Sequence, residues 1–224
     1  MPIYLRPTAP IAADAILVGD PGRALLLAQE LLEQPKMSNH ARGLWGYHGT
    51  AVSGRELTIQ STGIGGPSAA LVLADLAELG VRTAVRVGTC VAVDHTSALG
   101  DLLLVEKAIA AGGSAVAFGA RAGEAIMPDE VLTGRLRDAL GAAARSATVA
   151  SVDAHPEESS APVGAVAIDM QTAPLLAQAR ELGLVAAATL IVLERSNENA
   201  PLEKETLETK ERLAGRAALA SVSP

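Results

Sequence analysis

Two arginines stand where ordinary packing would not place a charge. Arg86 interrupts the apolar run Thr83-Ala84-Val85-Arg86-Val87, and Arg23 closes the turn Gly19-Asp20-Pro21-Gly22-Arg23 that follows the apolar stretch Ala15-Ile16-Leu17-Val18. A guanidinium inside an apolar strand is too costly to leave unpaired, so Arg86 needs an anion. Two sources fit. One is an internal carboxylate such as Asp20; the other is a bound oxyanion shared with Arg23, whose turn offers amide N–H groups at a helix start. The glycine turn Gly63-Ile64-Gly65-Gly66-Pro67-Ser68 permits close backbone approach, either to a ligand or between helix and sheet. It lacks the Gly-Lys-Ser/Thr of an ATP-binding loop and the glycine spacing of a dinucleotide fingerprint. With both motifs present, a shared phosphate is the better account of the two arginines.

The elements that must position these residues follow from pattern and punctuation. Ala15 to Val18, Leu57 to Ser61 and Thr83 to Val87 read as strands, the first two leading through glycine turns into helices, Ala24 to Leu32 and Ala69 to Leu79. Pro67 suits the first turn of the second helix and Gly80 its C-terminal cap, while the third strand runs into Gly88-Thr89-Cys90. Farther on, Asp101 to Val105, Ala147 to Val152, Val163 to Ile168 and Val185 to Leu193 read as strands. Asp129 to Ala144, Thr172 to Leu182 and Glu203 to Ala220 read as helices. Strands alternating with helices predict an α/β fold: a mixed, mostly parallel central sheet with helices on both faces and the ligand site at the carboxyl ends of the strands. With no repeat or linker in view, residues 1–224 read as one domain.

Composition narrows the functions open to such a fold. Net charge is −7, and only four aromatic residues occur, which excludes a phosphate-backbone surface or a stacking platform for nucleic acid. No apolar run approaches the roughly 18 residues a membrane helix needs, and no secretory signal is apparent, so the expected location is cytoplasmic. One cysteine, Cys90, rules out an internal disulfide framework and a multi-cysteine metal site.

Gly-Asp-Pro-x-Arg, Thr-Gly-Ile-Gly-Gly-Pro-Ser and Arg-Val-Gly-Thr-Cys, in this order and spacing, resemble the nucleoside phosphorylase family that includes uridine phosphorylase and hexameric purine nucleoside phosphorylase. The resemblance runs from about Tyr4 to Leu219 and is dense to about Gly100. It implies phosphate-dependent cleavage of a nucleoside to free base and (deoxy)ribose 1-phosphate. Gly19, Arg23, Arg86 and Thr89 would hold phosphate, joined by Arg42 from a neighbouring subunit; Tyr4, Ile64, Met170 and Gln171 would meet the sugar. Cys90, Val91, His155 and Arg195 would meet the base, with Arg86, Gln171 and Arg195 as the catalytic group. The resemblance further implies no metal and no organic cofactor, inorganic phosphate as co-substrate, and a homodimer or hexamer with shared sites.

The chain departs from the family pattern where sugar and base bind. Gln171 replaces a ribose-clamping Glu, exchanging charged hydrogen bonds for neutral ones worth about 1 kcal/mol less each. Tyr4 replaces a His, Val91 a Gly, and Asp153-Ala154-His155-Pro156 carries no ring for stacking a base. Glu194-Arg195-Ser196 and the Asn197-Glu198-Asn199 that follow resemble the uridine-type loop. Two alternatives remain open beside phosphorolysis: a hydrolytic nucleosidase, and a non-catalytic nucleoside- or phosphate-binding homologue.

Overall fold

In the computed structural model, which describes residues 2–155, 161–196 and 200–222, both faces of the central strands are covered, as their unbroken apolar runs require. The chain runs β1 (Asp14–Val18), α1 (Pro21–Leu31), β2 (Leu32–Asn39), β3 (Gly46–Ala51), β4 (Glu56–Ser61), α2 (Gly65–Glu78) and β5 (Thr83–Ala92). There follow β6 (Leu102–Ala110), α3 (Gly113–Ala117), β7 (Ala125–Ile126), α4 (Glu130–Leu140) and β8 (Ala144–Ser151). Then come β9 (Ala167–Asp169), α5 (Thr172–Leu182), β10 (Val185–Arg195) and α6 (Lys204–Val222).

The sheet is mixed, in the order β10-β6-β8-β9-β5-β1-β4-β3-β2, with β7 beside β6. Its centre, β4-β1-β5-β10, is parallel throughout. Because β10 pairs with both β5 and β6, the strands β5, β9, β8, β6 and β10 close on one another into a small barrel, while β1, β4, β3 and β2 extend from β5 as an open wing. Alternation divides the core: Ala15, Leu17 and Ala84 pack with Leu73, Leu76 and Leu175 of α2 and α5, whereas Ile16, Val18, Val85 and Val87 pack with Leu27, Leu136 and Ala218 of α1, α4 and α6. Arg86 shares the first face with Ala84, so its side chain is directed toward α5.

Several sequence expectations are corrected here. Leu32 begins a strand instead of ending a helix, and Leu32–Asn39 and Gly46–Ala51 form an antiparallel pair on the outer wing. The polar stretch around Pro35 hides β2, which is tolerated because it is an edge strand whose register slips between Glu33 and Lys36, with Gln34 at φ 45°. The strand expected over Val163 to Ile168 is confined to Ala167–Asp169, with Val163 fully exposed. The helix expected from Asp129 to Ala144 has Asp129 as its cap, accepting from Leu132 N at 2.8 Å, and stops at Leu140. Strands β5, β6 and β10 run past their expected ends to Ala92, Ala110 and Arg195, and the extensions of β5 and β10 line the cleft.

Candidate active site

A cleft of about 490 Å³ opens where the carboxyl ends of β1, β4, β5 and β10 meet the start of α5. Ten of the residues singled out from the sequence line it: Gly19, Arg23, Ile64, Arg86, Thr89, Cys90, Val91, His155, Met170 and Gln171. They come from five separate segments of the chain.

At the first of these segments, Asp20 caps α1 through a 2.9 Å bond from Arg23 N, with Pro21 as the first helical residue. One amide of the helix start is therefore already occupied by a carboxylate. At the second, Gly63 and Gly65 adopt φ of +72° and +80°, the left-handed region that favours glycine, and so turn the backbone at the end of β4 into α2. Ile64 between them is 86% exposed at the lip of the cleft.

Arg86 does not wait for an external anion. Its Nη2 donates to Asp169 Oδ2 at 3.0 Å, Nη1 to Gln171 Oε1 at 2.7 Å and Nε to Thr172 Oγ1 at 3.1 Å. The internal carboxylate is thus Asp169, not Asp20. The guanidinium folds back over its own strand, so that a Cβ on Gly88 would lie 2.5 Å from Nη2; Gly88 is the residue that makes room. Burial pulls Arg86 below the usual guanidinium value while the adjacent Asp169 carboxylate holds it up.

Asp169 is the cleft residue that sequence reading missed. It is buried and accepts from Ser151 Oγ at 2.5 Å, Thr172 Oγ1 at 2.6 Å, Thr172 N at 3.0 Å and Gln171 N at 3.2 Å, besides Arg86. One carboxylate therefore ties β8, the start of α5 and the arginine of β5 together. Its signal was slight: an Asp at the end of an apolar strand and two residues ahead of Gln171, the N-cap of α5.

Gln171 is equally committed. Its Oε1 accepts from Arg86 and lies 3.0 Å from the Thr62 hydroxyl; its Nε2 donates to the carbonyls of Gly63 at 2.6 Å and Gly65 at 3.3 Å. All the hydrogen-bonding capacity of the amide is used within the protein. Cys90 is buried, donates to Ile191 O at 3.6 Å, and burial pushes its thiol up, which keeps it protonated and unsuited to attack.

Three proposed site residues lie outside this cleft. Tyr4 and Arg42 share a second hollow with Arg6, Thr8 and His40, the Arg42 guanidinium lying 5.5 Å over the Tyr4 ring. Arg42 is exposed in a left-handed conformation, φ 59°, on a turn that Asn39 braces by donating to Leu44 O and accepting from Arg6 N at 2.8 Å. Arg195 is half-buried one residue beyond the lining residue Glu194. Pro156 and Asn197-Glu198-Asn199 lie outside the described residues. Among the described residues no helix is long and apolar enough to cross a membrane.

Carboxylates outnumber arginines in the cleft. Arg23 and Arg86 face Asp20, Asp169 and Glu194 in the lining, and Arg23 Nε donates to Glu211 Oε1 of α6 at 2.5 Å. A dianion entering here would benefit from a further cation.

Fold and cleft together define an α/β protein with a cleft at its strand ends, and residues 14–223 match the model of the phosphorylase superfamily. The chain belongs to that superfamily. It is 38% identical over 99 residues to purine nucleoside phosphorylase DeoD-type of Oceanobacillus iheyensis, covering 44% of this chain and 42% of the relative. It is 36% identical over 105 residues to the DeoD-type enzyme of Clostridium novyi, covering 46% and 45%. Against the uridine phosphorylase of Haemophilus influenzae it is 36% identical over 107 residues, covering 48% and 42%. These alignments span less than half the length of each relative.

Proposed function

We propose that this protein cleaves a nucleoside with inorganic phosphate, releasing the free base and (deoxy)ribose 1-phosphate. The observation that carries the reading is the convergence of Gly19, Arg23, Arg86 and Thr89 on one cleft with Ile64, Met170, Gln171 and His155. Phosphate held between the arginines would attack C1′ as the glycosidic bond breaks and its electron pair leaves with the base. Positioning that nucleophile is the largest contribution available without covalent catalysis. His155 at the cleft and Arg195 beside it would steady the charge developing on the base. The scheme needs no cofactor beyond phosphate. Both a uridine-type and a purine-type base fit it.

Arg42 and Tyr4 enter this scheme from a neighbouring copy, whose Arg42 would supply the cation that a carboxylate-rich cleft lacks; hence a homodimer or a hexamer. Sedimentation at assay concentration is expected to give a dimer or larger. Full activity from a monomer would remove Arg42 and Tyr4 from the scheme.

The excess of carboxylates over arginines in the cleft gives weight to a second reading, a nucleosidase that uses water. The test is to incubate the protein with uridine, thymidine, inosine, adenosine and methylthioadenosine, with and without phosphate, and measure free base. Release only with phosphate is expected. Equal release without it makes the protein a nucleosidase, and none at high enzyme concentration makes it a binding homologue.

A further inference from the structure

Helix α6 touches the anion site directly. The Arg23 guanidinium, 8% exposed in its side chain, lies against Glu211, 6% exposed, through Nε alone. Among the described residues nothing accepts from either terminal nitrogen of Arg23, and Arg23 lines the cleft. A guanidinium gripped by its Nε edge presents its other nitrogens in a fixed plane, the arrangement suited to bidentate recognition of an oxyanion.

The approach of α6 to α1 that permits this grip is built at two further points. One turn beyond Glu211, a Cβ on Gly215 would lie 2.6 Å from Leu27 Cδ2 of α1, so the helices meet there closely enough that any side chain at 215 would have to displace Leu27. At the far end of α1, Glu30 accepts from both Arg212 and Arg216 at 2.6 Å. The contact is thus a clamp along the length of α1. Burying a carboxylate at position 211 has a cost: burial raises its pKa, and Asp20 and Glu208 repel it, against the attraction of Arg23. A charge kept in so unfavourable a place for one bond to a cleft arginine calls for a reason.

We infer that Glu211 is the positioning residue of Arg23: it fixes the guanidinium by its Nε so that the terminal nitrogens face the phosphate, and makes phosphate affinity depend on the seating of α6. The inference rests on the phosphorolysis reading for the identity of the anion. A competing role, in which Glu211 merely neutralises Arg23 and lowers affinity, predicts the opposite sign.

Variants separate the two. Glu211→Gln keeps an acceptor for Nε and removes the charge; Glu211→Ala removes both; Glu211→Asp keeps the charge and shortens the reach by one methylene. Inorganic phosphate is titrated into each by calorimetry, with unfolding midpoints recorded, and KM for phosphate and for nucleoside is measured beside kcat. Positioning predicts that Gln stays within about threefold of wild type while Ala and Asp weaken phosphate binding about tenfold or more, a decade being about 1.4 kcal/mol. The nucleoside KM is expected to hold steady, which general misfolding would not allow. If Ala destabilises the fold too far to assay, the Asp variant carries the test. Wild-type-like or tighter phosphate binding in Ala or Asp, with wild type binding normally, overturns the role of Glu211 alone. Wild type that binds no phosphate overturns the functional reading and this inference together.

Discussion

Asp169→Ala is expected to lower stability by about 3–5 kcal/mol, because it leaves the Arg86 guanidinium buried without its counter-charge. Five donors converge on this carboxylate, so the loss is not of one bond. Asp169→Asn keeps the volume but turns an amide donor toward groups that are themselves donors, and is expected to fall between Ala and wild type. Urea unfolding measures both; a shift under about 1 kcal/mol for Ala would mean that the pair contributes little. The double variant Arg86→Leu/Asp169→Leu separates stability from chemistry. Replacing both members of a buried pair by apolar residues removes the unpaired guanidinium, so it should regain that part of the loss, while the Ser151, Gln171 and Thr172 donors stay unmet and, on the proposed function, phosphorolysis stays absent. Activity surviving in the double variant would remove Arg86 from the anion site.

What the sequence made legible was local. The glycine turns after β1 and β4, the strand that carries Arg86 and the helices beginning near Pro21 and Pro67 are each signalled within a few residues, by punctuation and period. The cleft inherits that legibility, since its backbone is made from those turns. The partners of the two arginines were not legible in the same way. Asp169 lies 83 residues from Arg86 and Glu211 lies 188 from Arg23, and no pattern within a segment reports a pairing across the fold. Asp20, near in sequence, was the natural guess for an internal carboxylate and is instead a helix cap. Glu211 reads in sequence as one of the many charges on an amphipathic helix. Only the close seating of α6 on α1 distinguishes it from its solvated neighbours. Likewise β2 is hidden because edge position, not composition, permits Pro35 within a strand.

The environment of Gln171 reverses the simplest expectation for the variant Gln171→Glu. From the family pattern alone, restoring a carboxylate would strengthen a sugar clamp and raise turnover. In the structure the amide nitrogen donates to the carbonyls of Gly63 and Gly65, and a carboxylate can donate to neither. A second carboxylate on one guanidinium also leaves a net buried negative charge beside Asp169, since Arg86 is already paired. The gain, a charged bond from Arg86 Nη1, is smaller than these two costs together. Gln171→Glu is therefore expected to lose about 1–3 kcal/mol of stability above neutral pH and to turn over at least about tenfold more slowly, as the glycine turn that shapes the cleft is released. The sign of the pH dependence follows. Burial and the neighbouring Asp169 raise the pKa of the new carboxyl, so lowering the pH protonates it in the folded protein first, and the neutral acid regains a proton to donate toward Gly63. The difference from wild type should shrink from pH 8 toward pH 5, in unfolding midpoint and in kcat/KM alike. A variant faster than wild type at pH 8 would show that Gln171 is free to turn into the cleft, and that the site is a weakened carboxylate clamp instead of one retuned around a neutral amide.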